Sequence, residues 1–165
     1  MSALGTVGKM LQNSLSRGGA KRTKKNPAPE LEKGTFDYIS EPKSDYFSVG
    51  FAKTDVMPDD MDKTTYYVAG YKINNPAKGA LDPMTASAIW IDDQSGRGGV
   101  IFVSIDDIGL TNYDVGIIRD LLADFKKETG CRSINIMSIH NHASIDTVGF
   151  WGPLPRSGRN KKYME

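Results

Sequence analysis

The chain has 165 residues, 39% of them hydrophobic and 25% charged, a composition typical of one soluble globular domain. Six basic residues and no acidic residue lie in the first 26 positions, so the other 139 residues carry a formal charge of −5. This mildly acidic body argues against a broad phosphate-binding surface, and we expect no nucleic acid partner.

The first 45 residues are predicted to be a disordered tail, because they combine basic residues and prolines with few apolar side chains. Leu4, Val7, Leu11 and Leu15 nevertheless follow helical spacing. That spacing leaves open an amphipathic helix on an anionic membrane or a transit-like leader, and a solvated tail is the simpler interpretation. The sequence shows no secretory signal or transmembrane segment, so cytoplasmic location and peripheral membrane contact both stay open.

The folded part is predicted to span residues 46–165 and to begin with strands. Runs of apolar, aromatic and β-branched side chains predict these strands. They cover residues 46–51, 65–71, 86–91 and 99–105. Residues 92–99 contain three glycines and are typical of a hairpin connection between the last two strands.

A helix and a further strand complete the predicted fold. Residues 113–129 carry apolar side chains at helical spacing, and Gly130 follows where a helix C-cap is expected. Residues 134–139 then form another apolar run, predicted to be a strand. A strand, helix, strand unit pairs its strands in parallel by a right-handed crossover. The sequence therefore predicts an α/β fold with a mixed sheet.

Polar side chains follow both of the predicted parallel strands, where the loops of α/β sheets gather ligands. His140 and His142, the only histidines of the chain, follow the last strand. Alternation in an extended segment would place both imidazoles on one side. Imidazole is a good zinc ligand, and a catalytic zinc takes about three protein ligands, so the pair predicts part of a metal site. Surface or hydrogen-bonded histidines are the alternative interpretation.

Nearby carboxylates are candidates for orienting a ligating histidine by accepting its second ring N–H. Asp106 and Asp107 follow the first parallel strand, and Asp146 follows the histidines. A solvated position is the alternative for each of them. Cys131, the only cysteine, lies before the strand that His140 follows, which argues against a thiol nucleophile beside the histidines.

Residues 140–147, His-Asn-His-Ala-Ser-Ile-Asp-Thr, resemble a segment of the neutral/alkaline non-lysosomal ceramidases and their bacterial relatives, which place His-Thr-His after a hydrophobic strand. Residues 49–58 are similar to the opening Gly-x-x-x-x-Asp-Ile-Thr-Pro pattern of that family. Residues 69–71 and 103–106 also match in order and approximate spacing. Asn141 stands where the family usually has threonine.

The resemblance implies the N-terminal portion of a larger ceramidase-like domain, a zinc-dependent amidohydrolase that splits the lipid amide of ceramide into sphingosine and a fatty acid. It implies His140 as a zinc ligand and His142 as the catalytic neighbour of the substrate carbonyl. The family's further ligands, a His, a Glu and a Tyr, come from downstream sequence, so we expect a fragment that is inactive alone. A non-catalytic module that binds a membrane or partner, or a zinc hydrolase of another amide or ester, stays open.

Overall fold

In a computed structural model of the protein, residues 45–165 are described. The predictions of a disordered tail and of an amphipathic N-terminal helix fall on residues 1–44 and lie outside the described residues. Among residues 45–165, no helix combines the length and the apolar character needed to cross a bilayer.

The predicted mixed sheet is confirmed, and it has four strands in the spatial order β1-β2-β3-β4. The antiparallel pairs are β1 with β2 and β2 with β3, and β4 pairs in parallel with β3. The strands are β1 (Ser48–Asp55), β2 (Thr85–Asp92), β3 (Val100–Ile105) and β4 (Ser133–Ser138). The short connection of β2 to β3 makes the predicted hairpin, and the parallel pair carries the predicted crossover.

The crossover contains two helices, so the prediction of one helix over residues 113–129 is wrong. Helix α1 (Asn112–Leu121) begins at a capping box, and helix α2 (Ala123–Thr129) ends at Gly130, which is left-handed as predicted. The two helices contact different strands, because Arg119 of α1 donates to the Ile134 carbonyl of β4 while Phe125 of α2 packs against β2. Helical periodicity in the sequence does not indicate either contact. The helix is interrupted at Leu122, between the residues that make them.

The predicted strand over residues 65–71 is also wrong. Its residues make only isolated bridges, from Tyr67 to Pro76 and from Val68 to Ile145. The segment pairs with the loop after β4 instead of joining the sheet, since the Ala69 N–H donates to the Ser144 carbonyl. β-branched and aromatic composition is shared by sheet strands and by segments that pair with loops, so it does not separate the two.

The two faces of the sheet differ in exposure. Helix α2 lies against one face, where Phe125 meets Trp90 edge to face with ring centroids 5.9 Å apart. The opposite face, here called the open face, carries Phe51, Ile89 and Phe102 in register across three strands. All three are exposed, and Phe51 is 80% exposed.

The buried apolar cluster lies among the loops rather than on the open face. It is formed by Tyr66, Met84 and Ile145, none of which belongs to a strand. Tyr163, from the short 3₁₀ helix Lys162–Met164, packs against this cluster, and its ring and that of Tyr66 are in a T-shaped arrangement. The loops at the carboxyl end of β3 and β4 are therefore held by a core of their own.

Candidate functional site

His140 and His142 lie together at the carboxyl end of β4, and we call the two residues the histidine corner. Their ring centroids are 4.6 Å apart and their planes are 73° from parallel. The predicted reason for this proximity is wrong, because β4 ends at Ser138 and His140 has a left-handed backbone with φ 63°. A turn, rather than alternation along an extended strand, brings the two rings together.

The ring of His140 has a defined hydrogen bond. Its Nδ1 lies 2.8 Å from the carbonyl oxygen of Ile108, in the loop after β3. A carbonyl can only accept, so this contact requires the proton on Nδ1 and leaves the lone pair of neutral imidazole on Nε2. This is the arrangement in which a histidine binds a metal while a second group holds its ring. His140, which is exposed, thus fits the role of a ligand.

His142 is held by packing. Tyr71 lies against it with ring centroids 4.7 Å apart, and its Nδ1 is buried without a hydrogen-bond partner among the described residues. A Cβ on Gly70 would lie 2.5 Å from the imidazole ring, so only glycine allows this approach, and φ 107° at Gly70 favours glycine as well. In the sequence, Gly70 and Tyr71 belong to the predicted strand 65–71 and to the family resemblance, and nothing in their spacing indicates a contact with His142.

The predicted carboxylates hold loops rather than histidine rings. Asp106 accepts hydrogen bonds from the amide and the hydroxyl of Thr85, at 2.9 and 2.7 Å, and so joins β3 to β2. Asp146 is buried and accepts backbone N–H groups of Val148, Gly149 and Trp151. At Nδ1 of His140 the acceptor is the Ile108 carbonyl and neither of these carboxylates.

Asp107 connects the two strand ends. Its backbone carbonyl accepts from the Asn141 N–H at 2.8 Å, which ties the loop after β3 to the histidine corner. Its side chain is 2% exposed, and Oδ1 has no hydrogen-bond partner among the described residues. Burial raises the pKa of this carboxyl, against the opposing effect of a hydrogen bond with Ser138.

A buried ion pair fixes the loop that follows the histidines. The guanidinium of Arg159 makes a two-pronged contact with the carboxylate of Asp114 in α1, and one of its nitrogens also donates to the Thr147 carbonyl at 2.9 Å. Burial by itself raises the pKa of Asp114, but hydrogen bonds from Arg159 and Thr111 outweigh it and lower the pKa. No sequence pattern indicates this pair, because 45 positions separate its members.

Next to these loops lies a cleft of about 470 Å³, within the range of small-molecule sites. Its walls are mainly apolar, and the polar groups at its lining include Asp107. The apolar lining residues are Val56, Met57, Pro58, Tyr66, Ile105, Leu110, Ile118, Tyr163 and Met164. Neither histidine lines this cleft, so it is a feature separate from the histidine corner.

Within residues 45–165, no three His, Cys, Asp or Glu side chains converge as a group that could hold a metal ion. The histidine corner by itself therefore offers fewer ligands than a catalytic zinc takes. A scan of the sequence against known protein families found no match, and a search of curated proteins found none either.

Proposed function

We propose that this chain contributes part of the active site of a zinc-dependent amidohydrolase of the ceramidase type, acting on a lipid amide. In this proposal His140 is a zinc ligand and His142 lies beside the substrate carbonyl. The observation that carries the proposal is the hydrogen bond from Nδ1 of His140 to the Ile108 carbonyl, because it leaves Nε2 free for a metal. The family resemblance supplies the reaction and the substrate class.

The roles of the two histidines follow from their surroundings. The Ile108 carbonyl holds the ring of His140 and fixes its tautomer, so no reorganisation of that ring is needed for ligation. Gly70 and Tyr71 hold the ring of His142 beside it. The Nδ1 of His142 is buried toward Gly70, so in the proposal a polar substrate group meets this ring at Nε2. Zinc, when bound, would polarise an amide carbonyl and lower the pKa of its water toward about 7.

The ligand set that this chain supplies is incomplete in the proposal. The chain has two histidines, and a catalytic zinc takes about three protein ligands. In the ceramidases that the sequence resembles, another His, a Glu and a Tyr complete the set. We therefore expect the 165-residue chain to bind zinc weakly and to hydrolyse no N-acyl lipid amide by itself.

Zinc titration of the full 165-residue chain tests the ligand assignment. Side-chain ¹⁵N NMR should show the zinc-dependent shift at Nε2 of His140, while calorimetry should show weak binding. His140→Ala should abolish the shift, and the matched variant His142→Ala should retain zinc binding at His140.

Three outcomes would contradict separate parts of the proposal. Equal zinc binding by wild type and His140→Ala would remove His140 as a ligand. Tight stoichiometric binding that His140→Ala abolishes would instead keep the ligand and contradict the incomplete ligand set. Release of fatty acid from a short-chain N-acyl substrate by the purified chain would contradict the expected inactivity.

A further inference from the structure

The cleft beside the buried loop core has an unusual feature, which is a buried carboxyl group in a mainly apolar lining. Asp107 is 2% exposed, and its Oδ1 has no hydrogen-bond partner among the described residues. Leaving a buried acceptor unsatisfied costs on the order of 1–3 kcal/mol, and more for a charged group. A cation held in the cleft beside Asp107 would offset this cost by stabilising the ionised carboxyl, so the group indicates what the cleft binds.

The charge of the cleft lining indicates which kind of ligand group the cleft favours. Three carboxyl groups line the cleft, those of Asp59, Asp60 and Asp107, against one basic group, Lys162. Lys162 lies 3.4 Å from Asp60, so its charge faces a carboxylate. The lining thus has an excess of negative charge, which favours a cation over a neutral or anionic donor.

The walls fit an apolar body attached to that cation. Tyr66 and Tyr163 contribute two aromatic rings to the lining, with centroids 5.9 Å apart, and such rings offer a large apolar contact surface. Met57 and Met164 are unbranched and flexible, so the lining can adapt to the shape of an aliphatic chain. The phenol of Tyr163 donates to the Val56 carbonyl at 2.7 Å, and burial raises its pKa to about 12, so it stays a neutral donor.

We propose that this cleft binds a small organic ammonium compound, with its apolar body against Tyr66 and Tyr163 and its cationic group directed to the carboxyl of Asp107. The site is separate from the histidine corner, because neither histidine lines it. The proposal therefore does not depend on zinc or on the hydrolase activity proposed above.

The test compares three probes of equal chain length on the full 165-residue chain: n-hexylammonium, n-hexanol and n-hexanoate. Calorimetry and methyl-detected NMR should show saturable binding of n-hexylammonium, at least about 10-fold tighter than n-hexanol, since hydrogen bonds to charged groups are the stronger ones. The methyl signals of Met57 and Met164 should shift. Met137, which lies on the open face, serves as the internal control and should not shift.

A pair of matched variants locates the cationic group. Asp107→Asn keeps the size of the side chain and should weaken n-hexylammonium binding at least about 10-fold. Asp82→Asn removes the same charge at an exposed position and should leave binding unchanged. Because the probe series uses the wild-type chain, it shows whether the cleft prefers the cationic probe even if Asp107→Asn fails to fold.

Several results would overturn the proposal. Equal affinity for n-hexylammonium and n-hexanol would mean that the cleft binds apolar chains without discriminating between charged and neutral ligands. Unchanged binding in a folded Asp107→Asn variant would remove Asp107 from the site. Shifts at Met137 without shifts at Met57 would move the binding to the open face. Absence of saturable binding would indicate that an ordered water, and not a ligand, satisfies Oδ1 of Asp107.

Discussion

The region at the carboxyl ends of β3 and β4 buries polar side chains, whereas the open face of the sheet exposes apolar ones. Asp146, in the loop after β4, and Asp114, in the first turn of α1, are buried, and each accepts several hydrogen bonds. On the open face, Phe51, Ile89 and Phe102 are exposed although they are large and apolar. Polar networks and the small apolar core among the loops, and not the open face of the sheet, therefore hold the part of the molecule that contains the histidine corner.

Breaking the ion pair between Arg159 and Asp114 should have the largest effect. Arg159→Met would leave the Asp114 carboxylate buried without its partner, and such losses cost about 3–5 kcal/mol. Urea denaturation measures the change in the free energy of unfolding. Arg159→Lys keeps the charge but not the two-pronged contact, so it should cost less. A loss below about 1 kcal/mol in Arg159→Met would show that the loops do not depend on this pair.

Acidification should weaken the same pair by a smaller amount, because a protonated carboxyl still forms hydrogen bonds. The pKa of Asp114 is lowered in the folded state, since the hydrogen bonds from Arg159 and Thr111 outweigh burial. Its contribution is therefore complete above the unfolded pKa and is lost as pH falls through the folded pKa. Burial raises the pKa of Asp107, so its effect on the pH dependence of stability has the opposite sign. Its contribution to the free energy of unfolding falls as pH rises.

The measurement is the urea midpoint as a function of pH in wild type and in Asp114→Asn. The variant has no carboxyl at position 114, so its stability should fall less steeply on the acid side. Identical acid slopes in the two proteins would assign the pH dependence to other groups.

Substitution on the open face should have the smallest effect. Phe51→Thr should change the free energy of unfolding by no more than about 0.5 kcal/mol, because an 80% exposed side chain has little burial to lose. The matched control is Ile134→Ala on the helix-covered face, where the side chain is 5% exposed and the loss should be about 2–5 kcal/mol. A cost in Phe51→Thr equal to that of the control would show that the open face is packed in solution.

Much of the sheet was predictable from the sequence, because composition marks its strands and one short glycine-rich connection marks the hairpin of β2 and β3. Residues 86–91 and 99–105 flank a glycine-rich turn, and the parallel pairing of β3 with β4 follows from crossover geometry. Helix α2 ends at Gly130 for the same kind of local reason. These features depend on residues that are close in the sequence. Periodicity and turn residues contain information about such short-range relations.

The surroundings of the candidate site were not predictable in the same way. The acceptor of His140 is a backbone carbonyl 32 positions away, at Ile108. Every residue has such a carbonyl, so the residue type at 108 gives no sign of this role. The approach of Gly70 to His142 joins segments 72 positions apart and depends on a turn whose backbone is left-handed at His140. Carboxylates are predicted as histidine partners because they are chemically distinctive, whereas the partner of His140 is a main-chain carbonyl.

The order of strands in the sheet also bears on how the chain folds. The hairpin of β2 and β3 closes a loop of a few residues, whereas β1 reaches β2 across the long segment after Asp55, and β3 reaches β4 across both helices. Closing a longer loop costs more conformational entropy, and contacts between distant residues slow folding. We expect the hairpin to form first and the docking of β4, which delivers the histidine corner, to come late. The candidate site would then be among the last parts of the molecule to assemble.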